Sequence, residues 1–321
     1  MQETRQARRP GIAVDAHVMA TFHYGGQAVM EGVMMRGRSG YGVAVRAPAG
    51  NIVVRGEALT SAIYTSRIAK LPFVRGLVLL WETLSLGIKT LMYSASVALA
   101  EEEEQLTQPM IWGTLAVSLV LSVGIFFVGP LLLVGLVDRF IESSLVSNLL
   151  EGFIRLTLFV GYIWGIGRMP DIKRFFLYHG AEHKTINAFE DGVPLEVEAI
   201  RRYSTAHRRC GTSFLLVFLV VSIFVFALLG RPDMFMRIAS RILLVPLIAS
   251  VAYEFIKLSA NHPDNGILRG LLWPGMQLQR LTTGEPDAGQ IEVAIAALKE
   301  VLAADGGTGQ VSPSPSADVG I

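Results

Sequence analysis

Four stretches of the chain are apolar for long enough to cross a bilayer, whose roughly 30 Å hydrocarbon core takes about 20 helical residues. Met110 to Val137 carries no charged side chain and contains Gly129-Pro130, a pair that predicts a kink. Leu145 to Ile166 is interrupted by Glu151 and Arg155, four apart, a spacing that lets them pair on one helix face or snorkel toward the interface. Thr212 to Gly230 is again mostly apolar and free of charge, and Ile242 to Leu258 has Pro246 in its first half and an acid, Glu254, near its end. The pattern predicts a mainly α fold, a polytopic membrane helix bundle of about four spans over residues 110–260. Glu254 is the ionisable residue best placed inside the spans for a functional role, and such a group needs a reason to be there.

Outside the spans the pattern changes. YGVAVRAPAGNIVVRGE holds two short β-type runs, Tyr41 to Arg46 and Asn51 to Arg55, joined by Pro48-Ala49-Gly50. This predicts a hairpin in a small N-terminal β unit within residues 1–60. From residue 71 to 100 the apolar positions Phe73, Val74, Leu77, Leu80, Trp81, Leu84, Ile88, Leu91 and Met92 keep close to the 3.6-residue period. They predict a long amphipathic helix, lying on the membrane surface or packed on the bundle. Glu101 to Glu104 read as a solvated boundary before the first span. Residues 264–303 read as C-terminal amphipathic helices, one of them Ile291 to Leu302, and residues 304–321 as a disordered tail rich in Gly, Ser and Pro. No internal repeat is evident.

Composition agrees with the pattern. Of 321 residues 51% are apolar and 17% charged, and the mean hydropathy of +0.46 argues against a purely soluble or disordered chain. Lys+Arg 28 against Asp+Glu 27 leaves a net charge of +1, which removes the electrostatic case for a nucleic-acid partner; the partner implied is the lipid bilayer. The single cysteine, Cys210, excludes an internal disulfide and a Cys-only zinc site. MQETRQARRP leads into no apolar run, so no cleavable signal peptide is expected. Between the second and third spans lie Arg168, Lys173, Arg174, Lys184, Arg201, Arg202, Arg208 and Arg209, whereas Arg139 stands alone between the first and second. That asymmetry places segment 168–211 and both termini in the cytoplasm.

Candidate chemistry concentrates in this basic segment. YHGAEHKTINAFEDG sets His179, Glu182 and His183 at i, i+3 and i+4, on one face if the stretch is helical. Two imidazoles four apart can ligate one divalent metal such as zinc, with the glutamate as third ligand or general base. The plainer alternative is surface or helix-capping contact, and Gly180 weakens the helix. HRRCGTSF brings His207 and Cys210 to the mouth of the third span as further ligands, although Cys210 also reads as a small buried hydrophobe. Glu254 could meet the same site from the membrane side or pair with Lys257 or a loop arginine. In GGQAVMEGVMMRG, Glu31 and Arg36 stand out: the segment is either a loop folding over the site with Glu31 reaching in, or a strand and turn with Glu31 paired to Arg36.

GGQAVMEGVMMRG, LPFVRGLVLLWETLSLGIKTL, YHGAEHKTINAFE, HRRCGTSF and PLIASVAYEFIKLSA, in this order over roughly residues 25–280, resemble the YqhQ-like bacterial membrane proteins grouped under domain of unknown function 1385. The resemblance implies a metal-dependent enzyme of the bacterial cytoplasmic membrane and implies no substrate or reaction. The reading is therefore a multi-pass membrane protein, a metal-dependent enzyme of hydrolase type: His179 and His183 as ligands, Glu182 as catalytic base or ligand, and His207, Cys210 or Glu254 completing the shell. The alternative from another class is a non-catalytic membrane scaffold or assembly factor. A transporter ranks behind both, because so few ionisable residues lie inside the spans.

Overall fold

The computed structural model describes residues 24–59, 71–100, 107–207, 209–262 and 265–306. The beginning of the N-terminal segment, the Glu101 to Glu104 boundary, Arg208, Pro263-Asp264 and the tail from residue 307 lie outside them. Residues 304–306, expected to begin the tail, instead finish a helix.

The glycine-punctuated N-terminal segment forms four strands, β1 (Gly25–Val29), β2 (Gly32–Arg36), β3 (Gly40–Arg46) and β4 (Ile52–Ala58), in an antiparallel sheet of order 1-2-3-4. The expected hairpin is β3–β4, with Val43 opposite Arg55, and β1–β2 extends it. Alternation sends Ala28, Val33, Met35 and Ala44 to one face and Val29, Met34, Tyr41, Val43 and Val45 to the other. Both faces are covered, which explains why β2 and β3 read as apolar almost throughout.

The long amphipathic helix, α1 (Val74–Ala98), covers the second face through Leu86, Tyr93 and Val97. It is pinned there by Arg36–Glu82 at 2.8 Å and Lys89–Glu57 at 2.5 Å. Its main seat is thus the small sheet, a third option beside the two expected. Its first turn also reaches the membrane helices, where Gly76 lies against the Tyr253 ring.

The spans follow the predicted runs with two departures. In the first, α2 (Gln108–Val123) passes through a π-helical turn at Gly124–Val128 into α3 (Gly129–Val137), all within one helical rod of 32 residues. Pro130 has no N–H to give Phe126, four residues earlier, and the Arg155 Nε donates to that carbonyl at 2.9 Å instead. Arg155 belongs to α4 (Ser144–Ile166), the second candidate span, capped by Ser143. The third is α7 (Gly211–Leu228). The fourth is bent: α8 (Met234–Leu243) and α9 (Val245–Asn261) meet at 43°, with Pro246 in the first turn of α9. Among the described residues three helices are long and apolar enough to cross a membrane, and a fourth if the bent pair is one span.

A buried ionic cluster ties α3, α4 and α8 together. Glu151 accepts from Arg155 at 2.7 Å and Arg241 at 2.8 Å, while Arg237 bridges Glu151 and Asp138 at 3.5 and 3.0 Å. Ionisable side chains inside the bundle are therefore less scarce than expected, and two carboxylates are shared among several arginines in contacts that single helices do not reveal. Glu254, singled out for this role, lies elsewhere. It takes Arg75 Nε at 2.8 Å and the Phe73 amide at 3.1 Å, both from the start of α1.

Candidate metal site

The basic segment folds as α5 (Pro170–Glu190), started by a proline that pre-sets φ and an acid, Asp171, in the first turn. One side of α5, with Tyr178, Ala181 and Ile186, packs on the first face of the sheet beside the last helix, α11 (Ala288–Gly306). The two histidines face away from the sheet, His179 toward the start of α7 and the end of α10 (Gly266–Thr282), while Glu182 lies against β1. His183 and Glu182 are 1% and 3% exposed. Helical geometry holds through Gly180, and the glycine has a use: a Cβ there would lie 2.0 Å from the Gly284 carbonyl oxygen. The loop after α10 passes against this bare backbone.

Two carbonyls then fix the rings. Thr282, the last residue of α10, accepts from His179 Nδ1 at 2.8 Å, and Thr205 accepts from His183 Nδ1 at 2.5 Å. A carbonyl oxygen cannot donate, so each Nδ1 carries a proton, which leaves Nε2 as the nitrogen through which either ring would hold a metal. Cys210 is the N-cap of α7, its Sγ 3.4 Å from the Thr212 amide and 3.4 Å from His179 Nε2. Ligand atoms of His179, His183 and Cys210 all fall within 4.8 Å of one another. Around one zinc, with bonds of about 2.0 to 2.3 Å, neighbouring donors stand roughly 3.3 to 3.8 Å apart. One edge of the triangle, His179 Nε2 to Cys210 Sγ, already has that length, and the others are no longer than 4.8 Å.

Glu182 Oε2 lies 3.4 Å from His183 Nε2, at the edge of the triad. Its approach depends on Gly26 of β1, where a Cβ would come 3.0 Å from Glu182 Cγ. His207 stacks behind His183, ring centroids 5.5 Å apart, but its Nε2 turns to Glu190 at 3.8 Å. Burial alone would raise the Glu190 carboxyl; the His207 hydrogen bond and the charge of Arg209 outweigh it and hold the group below the usual carboxylate range. Gln279, fully buried, exchanges two hydrogen bonds of 2.9 Å with the His207 backbone and so sets the turn leading to Cys210. It escaped sequence reasoning because nothing marks one glutamine in an amphipathic helix.

The other candidates are not brought here. Glu254 is occupied by Arg75. Glu31 sits at the β1–β2 turn with φ +51° and pairs with Arg174, Nη2 to Oε2 at 2.6 Å, rather than with Arg36. Burial, followed by the Glu31 charge, pushes the adjacent Tyr178 hydroxyl up to about 12. Arg36 holds Glu82 of α1.

The family model described as protein of unknown function (DUF1385) matches residues 71–304. The uncharacterized protein YqhQ of Bacillus subtilis (strain 168) is 34% identical over 292 residues, covering 87% of this chain and 92% of that protein. No solved structure matches the chain.

Proposed function

Because the chain belongs to the DUF1385 family, whose description assigns no reaction, we propose a function from the site itself: a metal-dependent hydrolase of the membrane. His179, His183 and Cys210 would hold the metal, zinc by donor type, and Glu182 would serve as base. The observation that supports this most is the pair of rings whose Nδ1–H groups are both held by backbone carbonyls beside one thiol, with one ligand atom from each of the three residues within 4.8 Å of the others. Carbonyl-oriented rings of this kind characterise metal-ligating histidines. Three protein ligands leave a fourth position open, as catalytic zinc sites do and closed structural ones do not.

When bound, the metal activates water and polarises a substrate oxygen. The residues of the chain do the rest. Thr282 and Thr205 orient the rings, Gln279 holds the turn that carries Cys210, and Glu182 stands beside the cluster to take up a proton. From the lysine and arginine asymmetry we place this segment and both termini on the cytoplasmic side of the bacterial cytoplasmic membrane.

A second reading, the non-catalytic scaffold, draws on the same carbonyl bonds, because they tie α5 to both flanking loops with no metal required. Glu182→Gln separates the two. The hydrolase reading expects folding and metal content to persist while turnover of phosphoester and carboxyester reporters falls about 10²- to 10⁴-fold. Unchanged turnover would remove Glu182 from the chemistry, and absence of turnover in wild type across both reporter classes would favour the scaffold.

A further inference from the structure

Next to the triad opens a cleft of about 820 Å³ with His207 in its wall. The His207 ring lies 5.5 Å from that of His183, tilted by 39°, so one lining residue of this space is in ring contact with a candidate ligand. One stripe of α10 lines it: Arg269, Trp273, Met276 and Arg280 recur at intervals of four, three and four. Ile256 of α9 adds to the apolar wall.

The charges in the cleft are not balanced. Glu190 is engaged by Arg209 and His207, and Asp191 by the Tyr203 hydroxyl. Arg269 and Arg280 are exposed and have no ion-pair partner among the described residues. Arg280 follows directly on Gln279, the residue bonded to the His207 backbone, so its charge belongs to the end nearest the triad. The surroundings are apolar on the outside: Ile267, Leu271 and Trp273 of α10 are 75%, 58% and 61% exposed, and α9 is half of the bent candidate span. An amphipathic helix with outward leucine, isoleucine and tryptophan beside a span suits the headgroup level of a bilayer.

We propose that this cleft binds an anionic membrane phospholipid, its phosphate on Arg280 and its apolar part along Met276 and Trp273 toward Arg269, and that such lipids are the substrate class of the neighbouring site. The substrate assignment rests on the hydrolase reading above; the lipid binding does not. Guanidinium and phosphate match in charge and geometry, and the apolar stripe between the two arginines has no use for a free phosphate ion.

The test is native mass spectrometry of the full chain in detergent, titrated with phosphatidylglycerol and, separately, phosphatidylcholine. Wild type is expected to bind phosphatidylglycerol more tightly. R269Q/R280Q should lose about tenfold in affinity for it, the size of one charge-assisted contact, while R269K/R280K retains the preference and both variants keep wild-type metal content. Equal binding of the two lipids by wild type, or undiminished phosphatidylglycerol binding by R269Q/R280Q, would overturn the proposal. Displacement of the lipid by millimolar inorganic phosphate would also overturn it and mark a free-phosphate site. His183→Ala should leave lipid binding intact, so failure of the metal site and failure of the lipid site read out separately.

Discussion

A hydrogen on the wrong imidazole nitrogen would undo the site, and two backbone carbonyls prevent it. If the cluster holds a metal as proposed, much of its affinity lies in residues that carry no ligand. Gly180→Ala tests this, because its Cβ would meet the Gly284 oxygen at 2.0 Å and push away the loop that begins at Thr282. The overpacking costs about 1 to 3 kcal/mol, against a helix-propensity gain of about 1 kcal/mol, so the melting temperature should fall modestly. Metal affinity should fall further, roughly 10- to 100-fold, as expected when the orienting partner of a ligating histidine is lost. Unchanged affinity in a titration of the purified variant would show that the Thr282 contact does not orient His179. At this scale the sequence was informative about His179, Glu182, His183 and Cys210 because helical spacing and donor chemistry are local. Thr205, Thr282 and Gln279 were invisible: two act through backbone atoms, and all three arrive from elsewhere in the chain.

Elements were legible wherever periodicity was long. The three straight spans and the amphipathic helix follow the hydropathy closely, whereas their partners depend on contacts that span much of the sequence. Glu254 read correctly as an acid in need of company, but its partner, Arg75, stands 179 residues earlier. Glu151 paired with Arg155 as spacing suggested, while Arg241 came from 90 residues away. At Gly129-Pro130 a kink was expected; the structure has a π-helical turn just before the pair and a Phe126 carbonyl taken by a buried arginine, neither of which was foreseen. The last helix makes a comparable long-range contact. Asp305 accepts from the Arg38 and Ser39 amides at 2.9 Å each, latching α11 onto the β2–β3 turn. Burial would raise its carboxyl, yet the Ser39 hydroxyl and the two amides prevail and hold it below its ordinary 3.8. A depressed folded value means that this latch is fully stabilising above about pH 3.8 and is lost as pH falls through the lower folded value. Thermal melts from pH 6 down to 2.5 should therefore show a steeper loss for wild type than for Asp305→Asn; parallel curves would remove the latch.

For the whole molecule, one small two-faced sheet joins α1, α5 and α11, and through α1 it meets α9 of the bent candidate span. The candidate site lies where α5, the mouth of α7 and the end of α10 converge, so its side of the membrane decides which compartment it serves. Cysteine-accessibility labelling from outside intact cells, with residues introduced near Ser143 and near Glu190, is expected to reach the first and miss the second; the reverse pattern would invert the orientation. The proposed role of the site turns on metal. The most direct measurement is the metal content, by inductively coupled plasma mass spectrometry, of detergent-purified wild type beside His183→Ala. The account predicts close to one zinc or equivalent divalent ion per wild-type chain and its loss in the variant, with the fold retained; a metal-free wild type, or equal metal in both proteins, would contradict it.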